Sequence, residues 1–229
     1  DVCSSDLKNE LPPGCPPHSE TPYAFKTWAI QAARERGHQR VAWLDSSLVA
    51  VNSLAVVSNW LAEQPVFTPA YRDNFVGHWS SDAALEWLHL NREAALLVPC
   101  VETGTVFFDF TRSQAVDAFE LWHQAAKAGV AFRGDHRNDC GQVSTDPRVK
   151  GHRHDQIVLS TILSRLAIPT YRWAHSITRH GMRYMLREST IFLCRRKCYG
   201  FETRGAVGTE LWRLLYHPRN ALRRLLHQA

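Results

Sequence analysis

Four short stretches place reactive side chains where a fold can use them. Asp45, followed by Ser46 and Ser47, ends the continuous apolar run Val41-Ala-Trp-Leu44. Such a run reads as a strand buried on both faces. A carboxylate just past its carboxyl end stands where open α/β sheets gather ligands, and it is a hard donor for a divalent cation held against phosphate. His154-Asp155-Gln156 opens an amphipathic stretch through Ile157, Val158, Thr161, Ile162 and Leu166. A helix start there offers free N–H groups to an anion, and His152 or His154 can ligate a cation or hold a phosphate. Gly77-His-Trp79-Ser-Ser-Asp82 sets an indole beside a carboxylate. That pairing stacks on and hydrogen-bonds a sugar ring, although Asp82 serves equally as the N-cap of the next helix. Glu102, in Glu102-Thr103-Gly104, precedes a strand and is a candidate general base. His136, Cys140, His152 and His154 lie near Asp135, Asp139 and Asp146, but their spacing fits no zinc template.

The elements that must position these groups alternate. Thr21-Pro22 predicts a helix start, with Phe25, Trp28, Ala29, Ala32 and Ala33 at helical spacing until Gly37. The Val41–Leu44 strand follows, then a helix capped by Asn52 and reaching about Leu61, then an extended piece at Val66-Phe67. Ser80-Ser81-Asp82 introduces a helix over Ala83–Leu90, and Gly104–Phe110 alternates as a strand. Thr111 and Gln114 form a capping box for a helix ended by Gly129. Arg133–Gly151 is a long polar stretch, and loops of that length inside a domain are commonly functional or disordered. The alternation predicts an α/β fold with a mainly parallel sheet.

Pro22-Tyr-Ala-Phe-Lys26, Val41-Ala-Trp-Leu-Asp45-Ser46-Ser47, Glu102-Thr-Gly104 and His154-Asp155-Gln156 occur in the order found in GT-A glycosyltransferases. Over roughly residues 22–168 the chain resembles the glycogenin and galactinol-synthase type of nucleotide-sugar transferase and its microbial relatives. The resemblance implies a GT-A-like (Rossmann-like) mixed sheet flanked by helices. It implies transfer of a sugar from a nucleotide-diphosphate donor to a saccharide or lipid-linked acceptor. Asp155 and Glu102 would be catalytic; Lys26, Asp45, Ser46, Ser47, His154 and Gln156 would bind the donor; Trp79, Asp82, Thr103 and Gly104 would line the acceptor and sugar side. Mn2+ or Mg2+ would sit on Asp45, with His152 as a further ligand. The motif is Asp-Ser-Ser where the family has Asp-x-Asp, so one carboxylate of the usual pair is missing. Plainer readings stand beside each role: Lys26 as a solvent-facing charge, Asp45 as a turn residue, Asp155 as an acidic cap.

The 229 residues carry 27 Lys+Arg against 22 Asp+Glu and are 45% hydrophobic, which suits one sizeable core rather than two large domains. No apolar run approaches the roughly 18–20 residues of a membrane helix. Residues 170–229 hold 12 basic and 3 acidic residues, a balance of +9, against −4 for the 15 basic and 19 acidic residues before them. The expected organisation is an irregular lead-in over 1–20 (1–7 resembling translated adapter sequence), a catalytic domain over 21–169, and a basic helical C-terminal segment over 170–229. That segment, with Trp173, Tyr184 and Tyr199 and later Leu211, Trp212, Arg223 and Arg224, suits either docking on the body or peripheral contact with an anionic membrane. The alternatives from other classes are a nucleic-acid- or membrane-binding module and an inactive nucleotide-sugar binder. No nucleic-acid motif is present, so no specific nucleic acid is expected as partner. Six scattered cysteines make no disulfide scaffold, Cys194 and Cys198 would share a helix face, and a reducing, cytoplasmic setting is expected, with peripheral membrane contact through the tail.

Overall fold

Each predicted helix of the body forms, although the caps differ from those expected. The computed structural model describes residues 11–172, 177–180 and 190–194. These fall in two compact units, one of Asp1–Leu44 with Val57–Ala174 and one of Asp45–Val56 with His175–Ala229. In the first unit α1 spans Phe25–Glu35, and the Thr21 carbonyl accepts from the Ala24 N–H to start its turn. Buried Trp28 and Ile30 face inward. Helix α2 spans Ala55–Glu63 across the division between the units; Ser53, not Asn52, accepts from the Ala55 N–H. Helix α3 is Asp82–Trp87 and α4 is Arg92–Ala95, capped by Ser81 and Asn91 respectively. Helix α5, Ser113–Ala128, ends where Gly129 turns to φ 74°, a left-handed C-terminus that favours glycine. The expected capping box is absent, because Thr111 bonds Asp109 and Arg112 takes the cap position. Helix α6 is His154–Arg165.

The strands correct the parallel-sheet expectation. In the first unit β1 (Arg40–Leu44) and β3 (Val66–Phe67) flank β6 (Thr105–Asp109), both antiparallel to it, with Val41 opposite Phe108 and Val66 opposite Phe108. A second small sheet has the order β5-β4-β7: β4 (Pro69–Phe75) runs antiparallel to β5 (Pro99–Val101) and parallel to β7 (Tyr171–Arg172). The fold is mixed α/β, with mainly antiparallel pairing. Strand β1 lies at the sheet edge, and only Val41 is buried; Ala42 and Leu44 are exposed. Its apolar run is therefore not the sign of burial on both faces. Fully buried instead are β3 and β6, the latter with all five residues inside. Phe108, Phe119, Trp122 and Phe132 are completely buried with Ile157, Leu159 and Leu163, so α5 and α6 close on one another and on β6. Burial of that apolar surface is the main stabilising term.

The second unit is described through Asp45–Val56, 177–180 and 190–194. There β2 (Leu48–Ala50) pairs antiparallel with β9 (Phe192–Cys194), which pairs parallel with β8 (Thr178–His180). Phe192 and Cys194 are buried strand residues and Ile191 is buried just before them, where a helix was expected after Pro169. The pairing of residue 48 with residue 194 lies within this unit. Trp173, Tyr184, Cys198, Tyr199 and all of 195–229 lie outside the described residues. Among the described residues no helix is long and apolar enough to cross a membrane.

Candidate active site

Two charged residues from separate motifs meet inside the first unit. Lys26, on the first turn of α1, is only 3% exposed, and its Nζ lies 2.8 Å from Oδ2 of Asp155 on the first turn of α6. The same Nζ donates to the Thr103 carbonyl at 3.1 Å, in the turn between β5 and β6. It also lies 5.2 Å from the ring centroid of Tyr23 and 5.9 Å from that of Trp43. A buried ammonium survives only with such compensation, here one carboxylate, one carbonyl and two aromatic faces. The solvent-facing reading of Lys26 is thereby excluded. Gln156 turns the other way, donating from Nε2 to the Val101 carbonyl at 2.6 Å, and so ties α6 to β5.

The backbone around the pair is strained. Tyr23 has φ 63° and His154 has φ 29°, both in the region that disfavours residues with a Cβ, and their rings stand 5.4 Å apart. Such conformations cost on the order of 1–3 kcal/mol each and persist where the surrounding structure enforces them. His154 Nδ1 lies 2.8 Å from the Phe132 carbonyl, an arrangement in which Nδ1–H donates and Nε2 is left as an acceptor. Nε2 itself is buried and has no hydrogen bond. Burial lowers the His154 pKa, opposed by the bond to Phe132, so the ring is a neutral acceptor rather than a cation for phosphate.

His152 is completely buried, and its Nδ1 accepts from the Ser81 N–H at 3.2 Å. Burial first, then the neighbouring His154, pushes its pKa down to about 3. That Nδ1 lone pair is committed to the backbone. Among the described residues no group of three or more His, Cys, Asp or Glu side chains is arranged to hold a metal ion. Asp45, Ser46 and Ser47 fall in the turn between β1 and β2, where the Asp45 carbonyl accepts from the Leu48 N–H at 2.8 Å and Ser47 Oγ lies 3.6 Å from Cys194 Sγ. Asp45 belongs to the second unit and the Lys26–Asp155 pair to the first.

Glu102 and Thr103 are buried, and Gly104 is half-buried beside them in the β5–β6 turn. The Glu102 carbonyl accepts from Thr68 Oγ1 and the Thr105 N–H. Trp79 and Asp82 are each engaged by an arginine. The indole is stacked by the Arg153 guanidinium at 4.2 Å, and Asp82 is held by Arg92 at 2.6 Å and Ser144 Oγ at 2.8 Å. Arg92 also donates to the Gly77 and Ser80 carbonyls, and Arg148 pairs with Asp146 and Glu93. These contacts, with Asn138 bonded to the 143–144 and 149 backbone, pin the polar stretch over 133–151 in place. The role of Arg92 left no mark in the sequence, since a single Arg on a short helix has no distinctive spacing; Tyr23 stood inside the Pro22–Lys26 motif, but no role was read for it there. Compared with known proteins, the chain matches no family model and no curated protein.

Proposed function

We propose that the chain is a glycosyltransferase that moves a sugar from a nucleotide-diphosphate donor to a saccharide or lipid-linked acceptor. The observation that carries this reading is the buried Lys26–Asp155 pair, 2.8 Å apart and framed by the strained Tyr23 and His154. Its two members come from two of the motifs in which the chain resembles GT-A transferases. Transfer breaks the bond from the anomeric carbon to the diphosphate and forms one to an acceptor oxygen. Lys26 is a point charge suited to the charge that grows on the departing diphosphate. Asp155, released from that contact, accepts hydrogen bonds from sugar hydroxyls, and Gln156, bonded to β5, holds the start of α6 in register. Where the reaction inverts, Glu102 takes the acceptor proton.

Within the second unit, Asp45 with Ser46 and Ser47 would hold Mn2+ or Mg2+ through one carboxylate and two hydroxyls. Such an ion would supply positive charge. The test is equilibrium binding and product release with a panel of UDP- and GDP-sugars, with and without Mn2+. Saturable binding of one donor, with nucleotide release that Lys26→Met abolishes, is the expected result. Binding without release moves the reading to an inactive nucleotide-sugar binder. No binding by any member of the panel overturns the proposal.

A further inference from the structure

The segment leading into α6 carries two cations that, among the described residues, meet no carboxylate. The Arg153 guanidinium lies 4.2 Å from the centroid of the Trp79 ring, and Lys150 Nζ lies 5.8 Å from a Trp79 ring centroid. The backbone sets both in place: the Lys150 N–H donates to the His78 carbonyl at 2.8 Å and the Arg153 N–H to the Trp79 carbonyl at 3.0 Å. Trp79 Nε1 donates to Asn74 Oδ1, which orients the indole. Cations close by are compensated, Arg92 by Asp82 and Arg148 by Asp146 and Glu93. Among the described residues Lys150 and Arg153 make no ion pair and no side-chain hydrogen bond.

Arg153 is also the N-cap residue of α6, which has no side-chain cap. A cation at the positive end of a helix dipole is unfavourable without an anion nearby. His78 reports the same positive field, its pKa lowered by burial and then by Lys150, Arg148 and Arg92. Lys150 is exposed and Arg153 half-buried, so a ligand can reach both.

We propose that Lys150 and Arg153, presented on Trp79, bind a phosphate monoester. A phosphate carries about −1.5 to −2 charge and three acceptor oxygens near neutral pH. The guanidinium fork takes two oxygens and the ammonium the third. A carboxylate, with a single charge, would leave one of the two cations unanswered. The site stands on these contacts alone. Assigning its ligand to the acceptor, as a phosphorylated sugar or a lipid-borne phosphate, rests on the glycosyltransferase reading.

The experiment is calorimetric titration of the full chain with glucose 6-phosphate, glucose and inorganic phosphate, alongside flotation with phosphatidate-containing and pure phosphatidylcholine vesicles. Lys150→Gln and Arg153→Gln are compared with the parent chain. Expected is binding of glucose 6-phosphate but not glucose, weakened about tenfold by each substitution, the size of a lost charge-assisted contact. Capture by phosphatidate vesicles alone, lost in both variants, assigns the phosphate to a lipid. Phosphate or vesicle binding that neither substitution weakens, or no binding at all, overturns the site. Lys150 is exposed, so its variant keeps the test sharp even where Arg153→Gln fails to fold. A nucleotide-sugar titration of the parent chain in the same series separates the readings. Donor binding without phosphate binding removes this site only, and the reverse removes the transferase reading only.

Discussion

Replacing Asp155 by Asn separates structure from chemistry at the centre of the site. Lys26 is 3% exposed, and the substitution leaves its ammonium with the Thr103 carbonyl and two aromatic faces but no counter-charge. Breaking a buried pair by removing one partner costs about 3–5 kcal/mol, most of it the penalty of the charge left behind. For a chain of this size each kcal/mol shifts the melting midpoint by about 2–4 °C, so a fall of roughly 6–20 °C is expected. The double variant Lys26→Met/Asp155→Leu removes both charges and should recover most of that loss, since apolar replacement of a whole buried pair is often neutral or stabilising. Urea unfolding of the parent, Lys26→Met, Asp155→Leu and the double variant yields the coupling energy directly. Donor turnover should be absent in all three variants, including the one that regains stability. An Asp155→Asn midpoint unchanged, or a double variant no more stable than the singles, would refute the buried-pair argument.

Two further outcomes follow from the same geometry. His152 is held neutral with its pKa near 3 in the folded chain against an ordinary value of 6.5, so the unfolded chain binds the extra proton between these values. Stability is therefore fully present above pH 6.5 and is lost as pH falls toward 3; unfolding at pH 5 should cost about 2 kcal/mol less than at pH 7, a slope that His152→Gln should flatten. Gly151 has φ 155°, and a Cβ there would come within 2.0 Å of the His136 carbonyl oxygen. Gly151→Ala should displace the 133–151 stretch and cost on the order of 1–3 kcal/mol, measurable as a lower urea midpoint with faster amide exchange over 136–150.

Helix existence was legible in the residues. Apolar spacing identified α1, α5 and α6, and Gly129 marked the end of α5, because a helix buries a stripe whose period is written locally. His154-Asp155-Gln156 was likewise readable as a helix start. What the order of residues alone left open was partnership. Whether the Val41–Leu44 run is a central or an edge strand depends on which strands pair with it, and the answer, β6 alone and antiparallel, is set by residues 105–109. The partners of Trp79 and Asp82 were likewise unannounced: Arg153, 74 positions on, stacks on the indole, and Arg92, ten positions on, pairs with the carboxylate. Lys26 stood as a donor-binding candidate with a solvent-facing charge as the plainer reading, and only the approach of α6 made it a buried cation. Periodicity and caps are short-range properties that a few consecutive residues specify; burial, charge pairing and strand order are long-range ones, decided only when the whole chain chooses which surfaces to remove from water.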